Sequence, residues 1–316
     1  MKIFNKSTII FFLIVGTTFE IFGAWESDNL FFSFLMPPDR MGYFNALEIE
    51  NRLQFISTFL NQDGTYVHLF IYVPFLDNSP LSIYFTAFLI NVFLMYLLVP
   101  QRANSMSFRL LARAMFFMLA FGMTKELFLI LLAIKVFGLG KSGVIWVFGF
   151  ARPQMGLAVL VSKFYKKFDL TLTLLFSTFI FYLGQRLLLF EIPREFLLMH
   201  NQSSLSELVN QFLIHTNPFI HLIGLVLSSL RLIAELVLGL SINRLETILG
   251  VLVLIYFFAS IKDRNLSIST RGIFKLSIMI FVMAANLPFP HFRYVTWVLF
   301  SYLILVYDYK YRFTRC

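Results

Sequence analysis

Arg152 stands in an apolar run, 144–161, whose only polar interruption reads Phe150-Ala151-Arg152-Pro153-Gln154. A charge inside an apolar span costs a few kcal/mol on insertion scales. The adjacent proline removes a helix hydrogen bond. An arginine with both features, and no acid within a helical turn, reads as a functional group facing a polar cavity. Its planar fork of donors suits phosphate or pyrophosphate. Arg186, Arg231, Arg244 and Arg293 also lie in or at the ends of apolar runs. Several of them converging would clamp a diphosphate. The structural alternatives are an i, i+4 pair of Arg231 with Glu235, and snorkelling of Arg186 and Arg244 to an interface. In Leu287-Pro288-Phe289-Pro290-His291-Phe292-Arg293-Tyr294, two prolines end one run and start the next. His291, Arg293 and Tyr294 therefore open the last run, where Tyr294 and Trp297 also fit an aromatic belt.

Carboxylates supply the complementary chemistry. A base is needed to deprotonate an attacking hydroxyl. Asp39 lies in the stiff turn Pro37-Pro38-Asp39-Arg40-Met41-Gly42-Tyr43, where capping the turn is its structural alternative. Glu26 and Asp28 follow the first apolar run and compete for the same role. Glu20, inside that run, is read either as reaching water or as the partner of a buried arginine. The histidines, five in all, show no i, i+4 pair, and Cys316 is the single cysteine. No metal site and no cofactor are expected. Gly138-Leu139-Gly140-Lys141-Ser142-Gly143 lacks phosphate-loop spacing and reads as a turn between runs.

The elements that must position these groups are apolar throughout. The chain of 316 residues is 59% hydrophobic and 14% charged, with mean hydropathy +0.78. Soluble domains carry about 25% charged residues. Apolar runs fall near 8–24, 81–99, 109–139, 143–162, 169–188, 219–240, 246–261, 272–287 and 292–308. The net charge of +9 resides mostly in short segments between runs, as the positive-inside rule requires, so no nucleic-acid partner is expected. Placing every basic segment on the cytoplasmic side demands an even number of crossings between neighbours. That parity holds if 109–139 is one long, bent helix and 219–240 is re-entrant or interfacial. Splitting 109–139 at Thr124-Lys125-Glu126 gives ten crossings instead. The expected fold is an all-α polytopic membrane helix bundle of about 8–10 transmembrane helices, one integral membrane domain over 1–316. Both termini are cytoplasmic, the first run is an uncleaved span, and outer loops cover 25–80 and 189–218. The first loop holds seven acids against two bases.

This layout resembles the Wzy/EpsG-like oligosaccharide repeat-unit polymerases of the bacterial inner membrane. The motifs carrying the resemblance are Asp39-Arg40-Met41-Gly42-Tyr43, Arg152-Pro153-Gln154-Met155-Gly156-Leu157-Ala158 and Arg293-Tyr294. Two departures are Arg40, where the family often has an aromatic, and the proline between Arg152 and Gln154. The resemblance implies polymerisation of undecaprenyl-diphosphate-linked oligosaccharide units, for O-antigen, capsule or exopolysaccharide, without metal or nucleotide sugar. It implies membrane lipids, and a chain-length regulator, as partners. Asp39 or Glu26 would be the catalytic base. Arg152, Arg293, Arg231, Tyr294 and His291 would bind the lipid-linked substrate. Two alternatives stay open: a lipid-linked glycan flippase, and a single-sugar polyprenyl-phosphate-dependent glycosyltransferase. Paired repeats, expected of a transporter, are absent from the sequence.

Overall fold

A computed structural model describes residues 2–26, 44–45, 47–48, 67–76, 81–99, 105–122, 125–138, 158–159, 162, 208–209, 211–212, 215, 217–238, 245–261, 273–279 and 293–313. Among them every extended element is helical. Helix α1 spans Lys6–Ile21, α2 Val73–Leu76, α3 Ile83–Leu98, α4 Met106–Phe121 and α5 Lys125–Ala133. A π-helical turn, Ile134–Gly138, continues α5. Helix α6 spans Pro218–Leu238, α7 Leu245–Ile261 and α8 Arg293–Phe313. Single 3-10 turns cover Ala24–Glu26 and Val67–Ile71, and 273–279 is helical.

The starts of these helices are written in the sequence as caps. Asn5 Oδ1 accepts from the Thr8 N–H at 2.8 Å and opens α1. Ser82 Oγ accepts from the Phe85 N–H at 3.1 Å and opens α3. Ser105 Oγ accepts from the Phe108 N–H at 3.3 Å and opens α4. Each satisfies an otherwise orphaned first-turn donor. Pro218 takes the first position of α6, where its missing N–H costs nothing, and Asn217 Oδ1 accepts from the Phe219 N–H at 2.9 Å.

Two expectations change. The run 109–139 is not one bent helix, because α4 ends at Gly122, whose backbone is extended (φ −109°, ψ 137°). Glycine is a weak helix former, and the carbonyls freed by the break find a donor. Asn91 of α3 gives its Nδ2 hydrogens to Ala120 O at 3.1 Å and Gly122 O at 3.2 Å. Irregular backbone buried in protein is tolerated when its polar groups are satisfied this way. The second change concerns 219–240, expected to be re-entrant or interfacial, of which the re-entrant form is the one that changes. It is a single helix of 21 residues, rich in Leu and Ile with no internal proline, so the chain does not reverse within it.

Packing is dominated by aromatic side chains at helix crossings. Helix α8 packs on α7 and α5, α4 on α3 and α7, and α1 on α3. Phe108 of α4 stacks on Tyr307 of α8 (4.3 Å, 9°), and Phe116 meets Phe300 at 5.1 Å. At the other end of α4, Phe121 meets Phe88 of α3 at 4.9 Å and Trp25 at 5.6 Å. Phe257 of α7 meets Tyr302 of α8 at 5.2 Å. The Ser162 hydroxyl donates to Met279 Sδ at 3.4 Å, so Ser162 lies beside 273–279.

Among the described residues no helix is long and apolar enough to cross a membrane. The outer faces are nevertheless apolar. Ile10, Phe11 and Ile14 on α1, Phe93 and Leu97 on α3, Phe219, Ile223 and Val226 on α6, and Ile255 and Phe258 on α7 are all exposed.

Helices α1 and α3 approach each other closely at Gly16. A Cβ there would lie 2.3 Å from Phe88 Cε1. The Phe88 ring is 1% exposed and wedged against Trp25, Phe85 and Phe121, so it has no room to give. Gly16→Ala is expected to cost about 1–3 kcal/mol, the range for overpacking. The unfolding midpoint in mixed micelles measures it, and an unchanged midpoint would mean that α1 slides freely on α3.

Candidate functional site

One end of the bundle is built from α1, α3 and the chain after α1. Helix α1 stops at Phe22, and Gly23 follows with φ +59°. That left-handed residue folds the chain back over the helix end, and Trp25 returns to Glu20. The Trp25 Nε1–H donates to Glu20 Oε2 at 2.9 Å. Ser82 donates its N–H to Glu20 Oε1 at 3.1 Å and its hydroxyl to Oε2 at 2.5 Å. The Glu20 carboxylate thus lies at the N-terminus of α3, where the helix dipole favours negative charge. Among the described residues its partners are neutral donors, and the half-exposed group, still open to water, is a latch between α1 and α3. Trp25 stacks on Tyr84 (6.3 Å, 11°), and Phe44 meets Tyr84 at 4.0 Å.

Glu26 is the last residue of the Ala24–Glu26 turn, so its backbone is held against this latch. Arg293 and Tyr294 are the first two residues of α8. Because Tyr307 meets Phe108 and Phe300 meets Phe116, α8 runs antiparallel to α4. Its first turn therefore belongs to the end where Phe121 meets Trp25. Glu26 and Arg293, 267 positions apart in number (293 − 26), come to the same end of the bundle. Arg231 and Glu235 are one turn apart in α6. Asp39, Arg152 and His291 lie outside the described residues, as do the side chains of Glu26, Arg231, Arg293 and Tyr294.

A second polar node is one the sequence reading passed over. Tyr72, between the Val67–Ile71 turn and α2, donates its hydroxyl to Asn91 Oδ1 at 2.6 Å. Asn91 is 0% exposed and Tyr72 4%. Together with the two carbonyls at the end of α4, every polar atom of the Asn91 amide group has a partner. Burial pushes the Tyr72 phenol well above its ordinary pKa, which holds it neutral as a donor. Part of the long acid-rich loop therefore docks against the middle of α3. Just beyond the break, Glu126 is buried in the first turn of α5, a favourable place for an acid. The signal for this node was a lone Asn in an otherwise apolar run, since polar side chains there act as interhelical glue.

The chain matches no family model, no curated protein and no solved structure.

Proposed function

We propose that this chain is an integral-membrane glycosyltransferase that polymerises undecaprenyl-diphosphate-linked oligosaccharide units at the outer face of a bacterial inner membrane. The observation that carries the membrane part is the set of exposed large apolar side chains on α1, α3, α6 and α7. Apolar surface of this kind is costly in water and favourable against lipid. A helix of 16 residues covers about 24 Å, against a hydrocarbon core of about 30 Å. Thinning and snorkelling absorb such a mismatch for fractions of a kcal/mol per Å.

The transferase part rests on the residues. Arg152 interrupts an apolar run, Arg293 opens α8, and Glu26 shares the latter's end of the bundle. In the reaction, a hydroxyl of the incoming lipid-linked unit attacks the anomeric carbon of the growing glycan. The bond from that carbon to the diphosphate breaks, and undecaprenyl diphosphate leaves with the electron pair. Asp39, or Glu26, takes the hydroxyl proton. Arg152 and Arg293 stabilise the charge that develops on the diphosphate. Arg231 and His291 bind the substrate from neighbouring segments, with Tyr294 against the glycan.

Arg152→Ala and Arg293→Ala, each compared with wild type at matched protein level in the native host, test the proposal. Removing a transition-state charge stabiliser slows chemistry by about 10²-fold or more. Long-chain polysaccharide should disappear from the gel while single lipid-linked units persist. An unchanged chain-length distribution in both variants would remove the basis of the assignment. Loss of single units from the outer face as well would point to the flippase.

A further inference from the structure

The end of the bundle opposite the Glu20 latch is cationic for a specific structural reason. Arg113 of α4 donates its Nε–H to Ile3 O at 2.8 Å and an Nη2 hydrogen to Lys2 O at 3.5 Å. These bonds draw the residues before α1 onto α4. Phe4 is buried beneath them, 5.3 Å from Phe116. The result places Lys2 beside Arg113, and Lys6 opens α1 four residues on, both lysines being exposed. Arg109 lies one turn away on the same face of α4, a like-charge spacing that is unfavourable in isolation. The Arg109 Nε is buried and has no hydrogen-bond partner among the described residues. Ser105 and Ser107, whose hydroxyls are 2.8 Å apart, flank it in the first turn of α4. Helix α8 reaches this end as well, because Tyr307 stacks on Phe108. It brings one acid, Asp308, and two bases, Lys310 and Arg312, in its last turns. The balance is strongly positive, with a buried guanidinium donor still free.

We propose that Lys2, Lys6, Arg109 and Arg113 form a seat for the phosphate of an anionic phospholipid in the leaflet at the N-terminal end. The inference rests on the membrane part of the reading above and on nothing in the transferase part. Charge complementarity selects the occupant. A phosphodiester presents acceptors to the half-exposed Arg109 guanidinium and relieves the repulsion between Arg109 and Arg113. The exposed apolar residues Met106 and Leu110 of α4 and Phe11 of α1 flank the seat where acyl chains would lie. Basic pockets between helices on the cytoplasmic side bind lipid headgroups through this kind of contact.

The test uses the full-length protein in detergent micelles, with bound lipid counted by native mass spectrometry. Phosphatidylglycerol is titrated against phosphatidylcholine. Wild type should prefer phosphatidylglycerol, and each charge removed should lower that preference about fivefold. The variants are Arg109→Gln and the double variant Lys2→Gln/Lys6→Gln. The double variant changes only exposed side chains, so it remains informative if Arg109→Gln does not fold. Arg109→Lys should keep part of the preference. Equal binding of the two lipids by wild type, or a preference unchanged in both variants, overturns the seat. Displacement of phosphatidylglycerol by millimolar inorganic phosphate would reassign it as a site for free phosphate and overturn the lipid. A protein that polymerises glycan but binds both lipids equally loses this seat alone. A protein that does not partition into bilayers loses the reading beneath it.

Discussion

Replacing Asn91 by Leu is expected to produce the largest loss of stability of any single change in the described part of the molecule. The side chain volume is kept, so the cost is polar. Three buried groups lose their partner at once: the Tyr72 hydroxyl, Ala120 O and Gly122 O. An orphaned buried polar group costs about 1–3 kcal/mol, while hydrogen bonds between helices in membranes average about 0.6 kcal/mol. The sum lies at about 2–5 kcal/mol. Tyr72→Phe, which removes one bond and leaves one acceptor open, should cost about 1 kcal/mol. Unfolding midpoints in mixed micelles give both, and equal midpoints for the two variants would mean that the carbonyls of the α4 break are satisfied by something else. The node also carries a pH dependence. Burial raises the Tyr72 pKa in the folded state, so its contribution is fully present below the ordinary tyrosine pKa of about 10. It is lost as pH rises toward the folded-state value. The alkaline fall in stability should be shallower in Tyr72→Phe, and an identical alkaline limb would exclude Tyr72 as its source.

Glu20→Ala is expected to be nearly as costly. Its carboxylate accepts from Ser82 twice and from Trp25 once, and hydrogen bonds to a charged acceptor are worth about 1.5–3 kcal/mol each. Losing all three opens the latch, leaves the Trp25 indole N–H buried without its acceptor, and removes a charge from the start of α3. Glu20 is half-exposed, so water replaces part of this bonding, and a net loss of about 3–4 kcal/mol is expected. Glu20→Gln keeps one acceptor oxygen and should fall about midway. Proteolysis between α1 and α3 provides a local readout, because Trp25 anchors the start of that connection. If Glu20→Ala is cut no faster than wild type, the aromatic contacts of Trp25 alone hold the connection.

Much of the helical layout was legible in the sequence. Asn5, Ser82 and Ser105 announce helix starts, and the runs near 8–24, 81–99, 246–261 and 292–308 coincide with α1, α3, α7 and α8 to within a few residues. The break at Gly122 was not legible, because a glycine in an apolar run is compatible with an unbroken helix. What decides it is a donor from another helix, Asn91, 31 residues earlier. Glu20 was legible as an acid inside an apolar run but not as a latch. Its partners Trp25 and Ser82 are ordinary residues until Gly23 turns the chain. The re-entrant or interfacial expectation for 219–240 came from counting crossings and from Arg231 and Glu235 within the run, and an i, i+4 pair is equally compatible with an unbroken helix. Of the candidate site, the sequence named Glu26, Arg293 and Tyr294. Only the antiparallel packing of α8 on α4 brings their segments to one end.

The bond from Arg113 to the Ile3 carbonyl joins residues 110 positions apart. That distance imposes an order on assembly. At a synthesis rate of about 5–20 residues per second, roughly 5–20 s separate the emergence of the first residues from that of the helix that holds them. Throughout that interval α1 has no Arg113 to grip, and its far end waits about half as long for Ser82. The Glu20 latch therefore closes first and the N-terminal anchor second, so α1 is fastened from its C-terminal end backwards. Fusions or extensions at the N-terminus would interfere with the last step of docking, after the remainder of α1 is already in place.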